Sequence, residues 1–262
     1  MEDGDRLSAQ GIRSWLRTPR AAIHIYDTVG STNDAARALA EKGAPHGTAV
    51  LAEAQTGGRG RFGRTFHSPA GRGVYMSLVL RPGPKTSLSL FTAAGAVAAA
   101  RAIESVSGLH AQIKWVNDVL VNGKKVCGIL AEAAAGPDGP FVVLGAGINF
   151  CARAEDFPPE LRDRAGALYG KRPQDVTRDR LAAAVIDHVL DAAASPEDAL
   201  PEYRDRSALL GKDVVLTLAG GTYCGRAVAI DDGGALVVQD SRGNRRVFAA
   251  GDVRVRGRDG GR

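Results

Sequence analysis

No apolar run in this 262-residue chain approaches the ~20 residues that span a bilayer, so no transmembrane helix and no membrane partner are expected. The N-terminus, Met1-Glu-Asp-Gly-Asp-Arg6, is acidic where a secretory signal is basic, which points to a cytoplasmic protein. Cysteine is scarce. Cys127, Cys151 and Cys224 lie far apart, with no Cys-x-x-Cys and no clustered histidine, so free thiols in a reducing compartment are expected and the usual zinc signatures are missing. Charge of one sign is lacking too: 29 acidic residues are spread among 34 basic ones, which makes the net +5 a poor argument for nucleic acid. What remains is a chain 44% apolar, long enough for one good core and a smaller second domain.

The most informative stretch runs from Gln112 to Ala133, two β-branched runs separated by Asn122-Gly123. Asn-Gly suits a two-residue type I′ turn, so Val121 should pair with Lys124, Leu120 with Lys125 and Asp118 with Cys127. Alternation then puts Val119, Val121, Val126 and Leu130 on one side, and Asp118, Lys125 and, if the pairing extends, Lys114 on the other. Two lysines beside a carboxylate on a rigid hairpin suit a phosphate or carboxylate ligand with a metal ion; an ordinary solvated face is the alternative.

Around the hairpin, Leu7 to Leu16 reads as a short helix and Ile23 to Tyr26 as a strand. Ser31, Thr32 or Asn33 can cap a helix through Ala35 to Glu41, and three consecutive small polar groups can also read a compact polar ligand. The strand Thr48 to Gln55 runs into Thr56-Gly-Gly-Arg-Gly-Arg-Phe-Gly-Arg-Thr65, where four glycines permit close backbone approach and Arg59, Arg61 and Arg64 can fork onto phosphate. It lacks the Lys-Ser/Thr ending of a Walker loop. Its single occurrence between buried strands favours a ligand loop, mobile when empty, over an RNA-binding tract or a solvated loop. Val74 to Leu80 is a strand, Ser87 caps an alanine-rich helix from Leu88 to about Val106, and the strand Phe141 to Phe150 ends in glycines, where something approaches the backbone. Asn149 there is either a turn residue or a ligand group. Helices follow at Thr177 to Ala194 and Pro196 to Arg206. Beyond Leu210, short strands between glycine-rich turns suggest a small β-barrel of about fifty residues. Arg254 to Arg262 is expected to fray.

Taken together, Ser31-Thr-Asn33, Gln55 with Gly58-Arg-Gly-Arg-Phe-Gly-Arg64, Lys114-Trp-Val-Asn-Asp118 with Lys125-Val-Cys-Gly-Ile-Leu130, and Gly145-Ala-Gly-Ile-Asn149 resemble the biotin protein ligases across nearly the whole chain. The resemblance implies an α+β fold: a mixed sheet with helices akin to class II aminoacyl-tRNA synthetases over residues 1–209, then an SH3-like barrel over 210–262. It implies that biotin and Mg-ATP form biotinoyl-5′-AMP, and that a lysine of a biotin carboxyl carrier protein or domain then attacks it, with no permanently bound cofactor. By motif match Ser31, Thr32, Asn33, Gln55, Arg59, Gly60, Arg61, Lys125 and Gly128 contact biotin. Arg59, Arg61, Arg64, Phe66, Lys114, Asn117, Asp118, Lys125 and Asn149 contact ATP or the adenylate. Lys125, Arg61 and Lys114 are the catalytic candidates, and Asp118 is the candidate for magnesium carried by ATP. The family's usual proline after Lys-Trp is Val116 here, and its usual tryptophan after the arginine loop is Phe66. Some relatives carry an N-terminal DNA-binding repressor module; the stretch before the strand Ile23 to Tyr26 is too short for one, so a ligase without repressor function is expected, a monomer or weak homodimer. Rivals are a lipoate or octanoate ligase of the same fold, from which the arginine loop and Ser31-Thr32 separate it, and a non-enzymatic nucleic-acid-binding protein.

Overall fold

The computed structural model describes residues 5–17, 22–83, 87–218 and 220–256. Two sheets organise the chain. The first contains β1 (Ile23–Val29), β2 (Ala49–Gln55), β3 (Gly73–Leu80), β4 (Ala111–Lys114), β5 (Asp118–Val121), β6 (Lys124–Gly136) and β7 (Gly139–Asn149). Their order is β1-β2-β3-β7-β6-β5-β4; β1 and β2 run parallel and every other neighbour antiparallel, so the sheet is mixed.

Helices cover the two faces unequally. The helices α1 (Ala9–Trp15), α3 (Leu88–Ser107) and α4 (Arg178–Ala193) lie in layers on one face, followed by the short α5 (Leu200–Asp205). The alanines of α3 keep it low on the sheet, and at Gly95 a Cβ would come within 2.8 Å of Leu144. The other face carries only α2 (Thr32–Ala40), whose Ala36 and Ala40 pack on Val50, Val79, Phe141 and Val143. Period-two alternation explains why β2 and β3 read as continuous apolar runs: Ala49, Leu51, Leu78 and Leu80 face the larger core, Val50 and Val79 the smaller. The part of this second face that α2 does not reach is open.

The second sheet, all antiparallel, orders as β11-β10-β9-β8-β12, from β8 (Asp213–Leu218), β9 (Gly221–Ile230), β10 (Leu236–Gln239), β11 (Arg245–Phe248) and β12 (Asp252–Val255). It docks through the Trp115 indole N–H, which donates to the Gly234 carbonyl at 2.9 Å, and through the Arg64–Asp252 ion pair at 2.8 Å. Arg254 and Val255 are paired with β8, so the expected fraying does not begin there; residues 257–262 lie outside the described residues. Among the described residues no helix is long and apolar enough to cross a membrane.

The expected hairpin register needs one correction. Val121 pairs with Lys124 and Leu120 with Lys125, but a bulge follows: Val119 pairs with Cys127, and Asp118 with Gly128 rather than Cys127. Val126 is the extra residue. Both it and Cys127 point into the core, so beyond the bulge Ile129 is buried and Leu130 lies on the open face, opposite to its expected side. Asn122 and Gly123 both take positive φ, as a type I′ turn requires.

At the N-terminal edge a single cation holds three segments. Arg178, 1% exposed, donates to Glu53 at 2.8 Å, to Asp5 at 3.3 Å and to the Gly73 carbonyl at 3.3 Å. Replacing it by methionine leaves Glu53 without a counter-charge and Asp5 with Arg172 alone, at 3.2 Å, a cost of about 3 kcal/mol. Urea unfolding of Arg178→Met should show the lowered midpoint; an unchanged midpoint would deny the cluster its structural role.

Candidate active site

The open half of the sheet is a cleft of about 550 Å³, and every residue expected at the site lines it. Its floor is made of backbone. On β7 the residues facing this side are Val143, Gly145, Gly147 and Asn149; the valine lies under α2 and the glycines lie beyond it. A Cβ at Gly145 would come within 2.2 Å of Asn33 Oδ1, and one at Gly147 within 2.7 Å of the Phe66 ring. Asn33 and Phe66 are therefore what approaches the glycines of this strand.

The bulge sets the rest of the floor. Because it consumes one residue, Lys125 before it and Gly128 and Leu130 after it all line the cleft, which unbroken alternation forbids, and Glu132 follows on the same side against Asn33 and Arg59. Gly128 leaves room for the lysine, since a Cβ there would sit 3.2 Å from Lys125 Nζ. The Lys125 ammonium meets the Asp118 carboxylate at 2.6 Å and lies 6.0 Å from the Phe66 ring centroid. Lys125 and Asp118 share a face, as expected, with Lys114 close enough for the Asp118 charge to act on it.

At the inner end Ser31 caps α2, its hydroxyl accepting from the Asn33 N–H. The Thr32 N–H donates to Gln55 Oε1 at 2.8 Å, and Gln55 Nε2 donates to the Ser68 hydroxyl. Ser77, wholly buried on β3, donates to Asn33 Oδ1 at 2.6 Å and lies 2.8 Å from the Thr32 hydroxyl. The Asn33 amide donates to Glu132 at 2.7 Å and to the Leu130 carbonyl at 3.4 Å, so all of its groups have protein partners. The result is a compact rigid cradle of hydroxyls and amides.

The arginine loop folds back over the cleft as a small hairpin. Arg59 bridges to Thr65, the Gly60 N–H donates to the Arg64 carbonyl at 2.7 Å, and Phe62 holds φ at +57° beside Arg61. Arg59 is turned to Glu132 and Asp34, and Arg64 to Asp252, while the Arg61 guanidinium lies over Phe62 and 3.5 Å from Asn117 Oδ1. Asn117 and Asn149 also do structural work, donating to the carbonyls of Ile129 and Gly166 at 2.8 Å each.

Burial lowers the pKa of Lys114 below the ordinary lysine range, although Asp118 and Asp252 pull the other way, and burial likewise lowers Arg61. Burial would raise Asp252, but the hydrogen bond and charge of Arg64 outweigh it and hold that carboxyl low. Cations short of solvent and of full counter-charge favour an incoming anion.

Sequence reasoning missed Ser77, Glu132, Asp252 and the segment around Phe157 to Ala165. Ser77 was legible as the lone serine in the apolar run Val74 to Leu80, and Glu132 as the one acid in the bulged strand Lys124 to Gly136. The other two approach only through tertiary packing.

Such a fold and cleft define a ligase of the biotin and lipoate kind: residues 26–149 match the biotin/lipoate A/B protein ligase family, and residues 209–256 the biotin protein ligase C terminal domain. The chain belongs to the biotin protein ligases. It is 36% identical over 258 residues to the bifunctional ligase/repressor BirA of Bacillus spizizenii, covering 94% of this chain and 78% of that protein. With the biotin-(acetyl-CoA-carboxylase) ligase of Mycobacterium tuberculosis it shares 34% identity over 271 residues, covering 97% and 98%. Among solved structures, the biotin protein ligase of Aquifex aeolicus in complex with biotin and ATP superposes with a TM-score of 0.76 at 27% identity, covering 90% of this chain and 99% of that one.

The lowered Lys114 carries a sign. Its ammonium is present below its depressed pKa and is lost as pH rises through it, earlier than for an ordinary lysine. ATP affinity, titrated across pH, should fall on that alkaline limb in the native chain and hold to higher pH in Lys114→Arg; identical limbs would remove Lys114 from phosphate binding.

Proposed function

We propose that this biotin protein ligase seats the biotin ureido ring in the cradle of Ser31, Thr32, Asn33 and Gln55 and joins its carboxylate to ATP at Lys125. The observation that carries this reading is the polarity of the cleft: neutral donors and acceptors at the closed inner end, cations at the mouth, and glycine floor between. A biotin carboxylate oxygen attacks the α-phosphorus, the bond to the β-phosphate oxygen breaks, and pyrophosphate leaves. In the second half-reaction an acceptor lysine amine, on a biotin carboxyl carrier domain, attacks the acyl carbon; AMP departs and the amine loses its proton.

Bringing two anions together needs fixed positive charge, and Lys125, Arg61 and Lys114 supply it without proton transfer. Arg59 and Gly60 belong to the covering loop, whose closure keeps water from a hydrolysable adenylate. Gly128 lets biotin and the Lys125 chain lie flat on the strand. Phe66, Arg64, Asn117 and Asn149 border the nucleotide, with Phe66 offering a ring to adenine. Among the described residues no group of three or more His, Cys, Asp or Glu could hold a metal ion. Magnesium would enter with ATP and offset the charge of its phosphates, and Asp118, paired with Lys125 through one carboxylate oxygen, is the residue that would hold it.

We read residues 1–209 as the catalytic unit and 210–262 as an SH3-like unit whose Asp252 and Arg254 border the cleft. Monomer or weak homodimer, cytoplasmic location and lack of DNA binding complete the reading; three unpaired cysteines accord with a reducing compartment.

ATP–pyrophosphate exchange measured with biotin, lipoate or neither tests the chemistry. Exchange should require biotin, and exchange with lipoate alone would reverse the substrate assignment. Lys125→Ala and Arg61→Ala should each slow biotin-dependent exchange by about a hundredfold with unchanged unfolding midpoints. Native rates in both variants would remove these two side chains from the reaction.

A further inference from the structure

Among the described residues Glu132 is the one carboxylate that bonds to both the inner cradle and the covering loop. Its Oε2 accepts from Asn33 Nδ2 at 2.7 Å and from Arg59 Nη2 at 2.6 Å, while Arg37 stands 3.8 Å from the other oxygen. The Asn33 side of this joint is rigid. Its amide oxygen takes the Ser77 hydroxyl at 2.6 Å, and the missing Cβ of Gly145 lets it press on the sheet. On the other side Arg59 springs from the root of the loop, with Asp34 of α2 as its second acid at 2.9 Å. Glu132 is the more enclosed of the two acids, its side chain 24% exposed against 58% for Asp34, so it makes the stronger tie.

We propose that Glu132 is a positioning residue that locks the root of the arginine loop to the ureido cradle, so that the covering loop is held shut only while Asn33 and the first turn of α2 are in place. This rests on the reading of the cleft as a biotin-adenylating site. The consequence is mechanical coupling: Asn33, itself fixed by Ser77 and the sheet, fixes the carboxylate, and the carboxylate fixes Arg59. The joint acts on escape of the adenylate and not on the chemical step, because neither Glu132 oxygen reaches the Lys125 and Asp118 pair.

The test is a double-mutant cycle on adenylate release. Native chain, Glu132→Gln, Arg59→Ala and the double variant are loaded with biotin and α-labelled ATP without acceptor, and loss of label is followed under an excess of unlabelled biotin and ATP. Glutamine keeps the shape of the side chain and removes the charge, and Arg59 stands on an exposed loop, so melting temperatures should match that of the native chain. Each single substitution should speed release roughly tenfold, and in the Arg59→Ala background Glu132→Gln should add nothing. Release from Glu132→Gln at the native rate, or single effects that multiply in the double variant, would overturn the lock. Failure of the native chain to form any labelled adenylate would instead overturn the reading of the cleft itself.

Discussion

One constraint shapes this molecule: a polar ligand site has to be opened on a sheet face that would otherwise be filled. The solution is to withhold Cβ atoms. Gly128, Gly145 and Gly147 form a strip of bare backbone across β6 and β7, where a side chain at any of the three would meet Lys125, Asn33 or Phe66. The bulge at Val126 makes the strip continuous, because it returns β6 to the right phase after Lys125. Without it, either Lys125 or Gly128 would face the core.

Three of the cations around the strip have a carboxylate in waiting. Lys125 rests on Asp118, Arg59 on Glu132 and Asp34, and Arg64 on Asp252. These pairs are half-exposed and contribute little stability by themselves. On the proposed chemistry what they give is position: the cations are already near where charge would develop, and an arriving anion would exchange partners with an acid instead of ordering a free side chain. Arg61 and Lys114 lack so close an acid, and burial depresses both, which marks them as the cations most in need of the ligand's charge.

Much of this was legible in the residues. Asn122-Gly123 fixed the turn and the first two pairs, the glycine and arginine run announced a covering loop, and the glycines ending β7 announced a close approach. Alternation alone could not reveal the bulge, because Val126 and Cys127 are both apolar and either one reads as the core residue; the error of phase passed on to Leu130. Ser31 as cap was visible, but the full commitment of the Asn33 amide was not, since Ser77 and Glu132 reach it from strands 44 and 99 residues away. The contribution of Asp252 depends on how the second sheet docks, which no local pattern encodes.

The central claim is that carboxylate activation and adenylate retention occur in this one cleft. Incubating the native chain with biotin and ATP labelled on its α-phosphate, without acceptor, and separating protein from free nucleotide tests it most directly. The account predicts stoichiometric label on the protein that depends on biotin, chromatographs as an acyl adenylate and is discharged as AMP when a carrier domain is added. Label held equally without biotin, or biotin consumed with release of ADP in place of pyrophosphate, would contradict it.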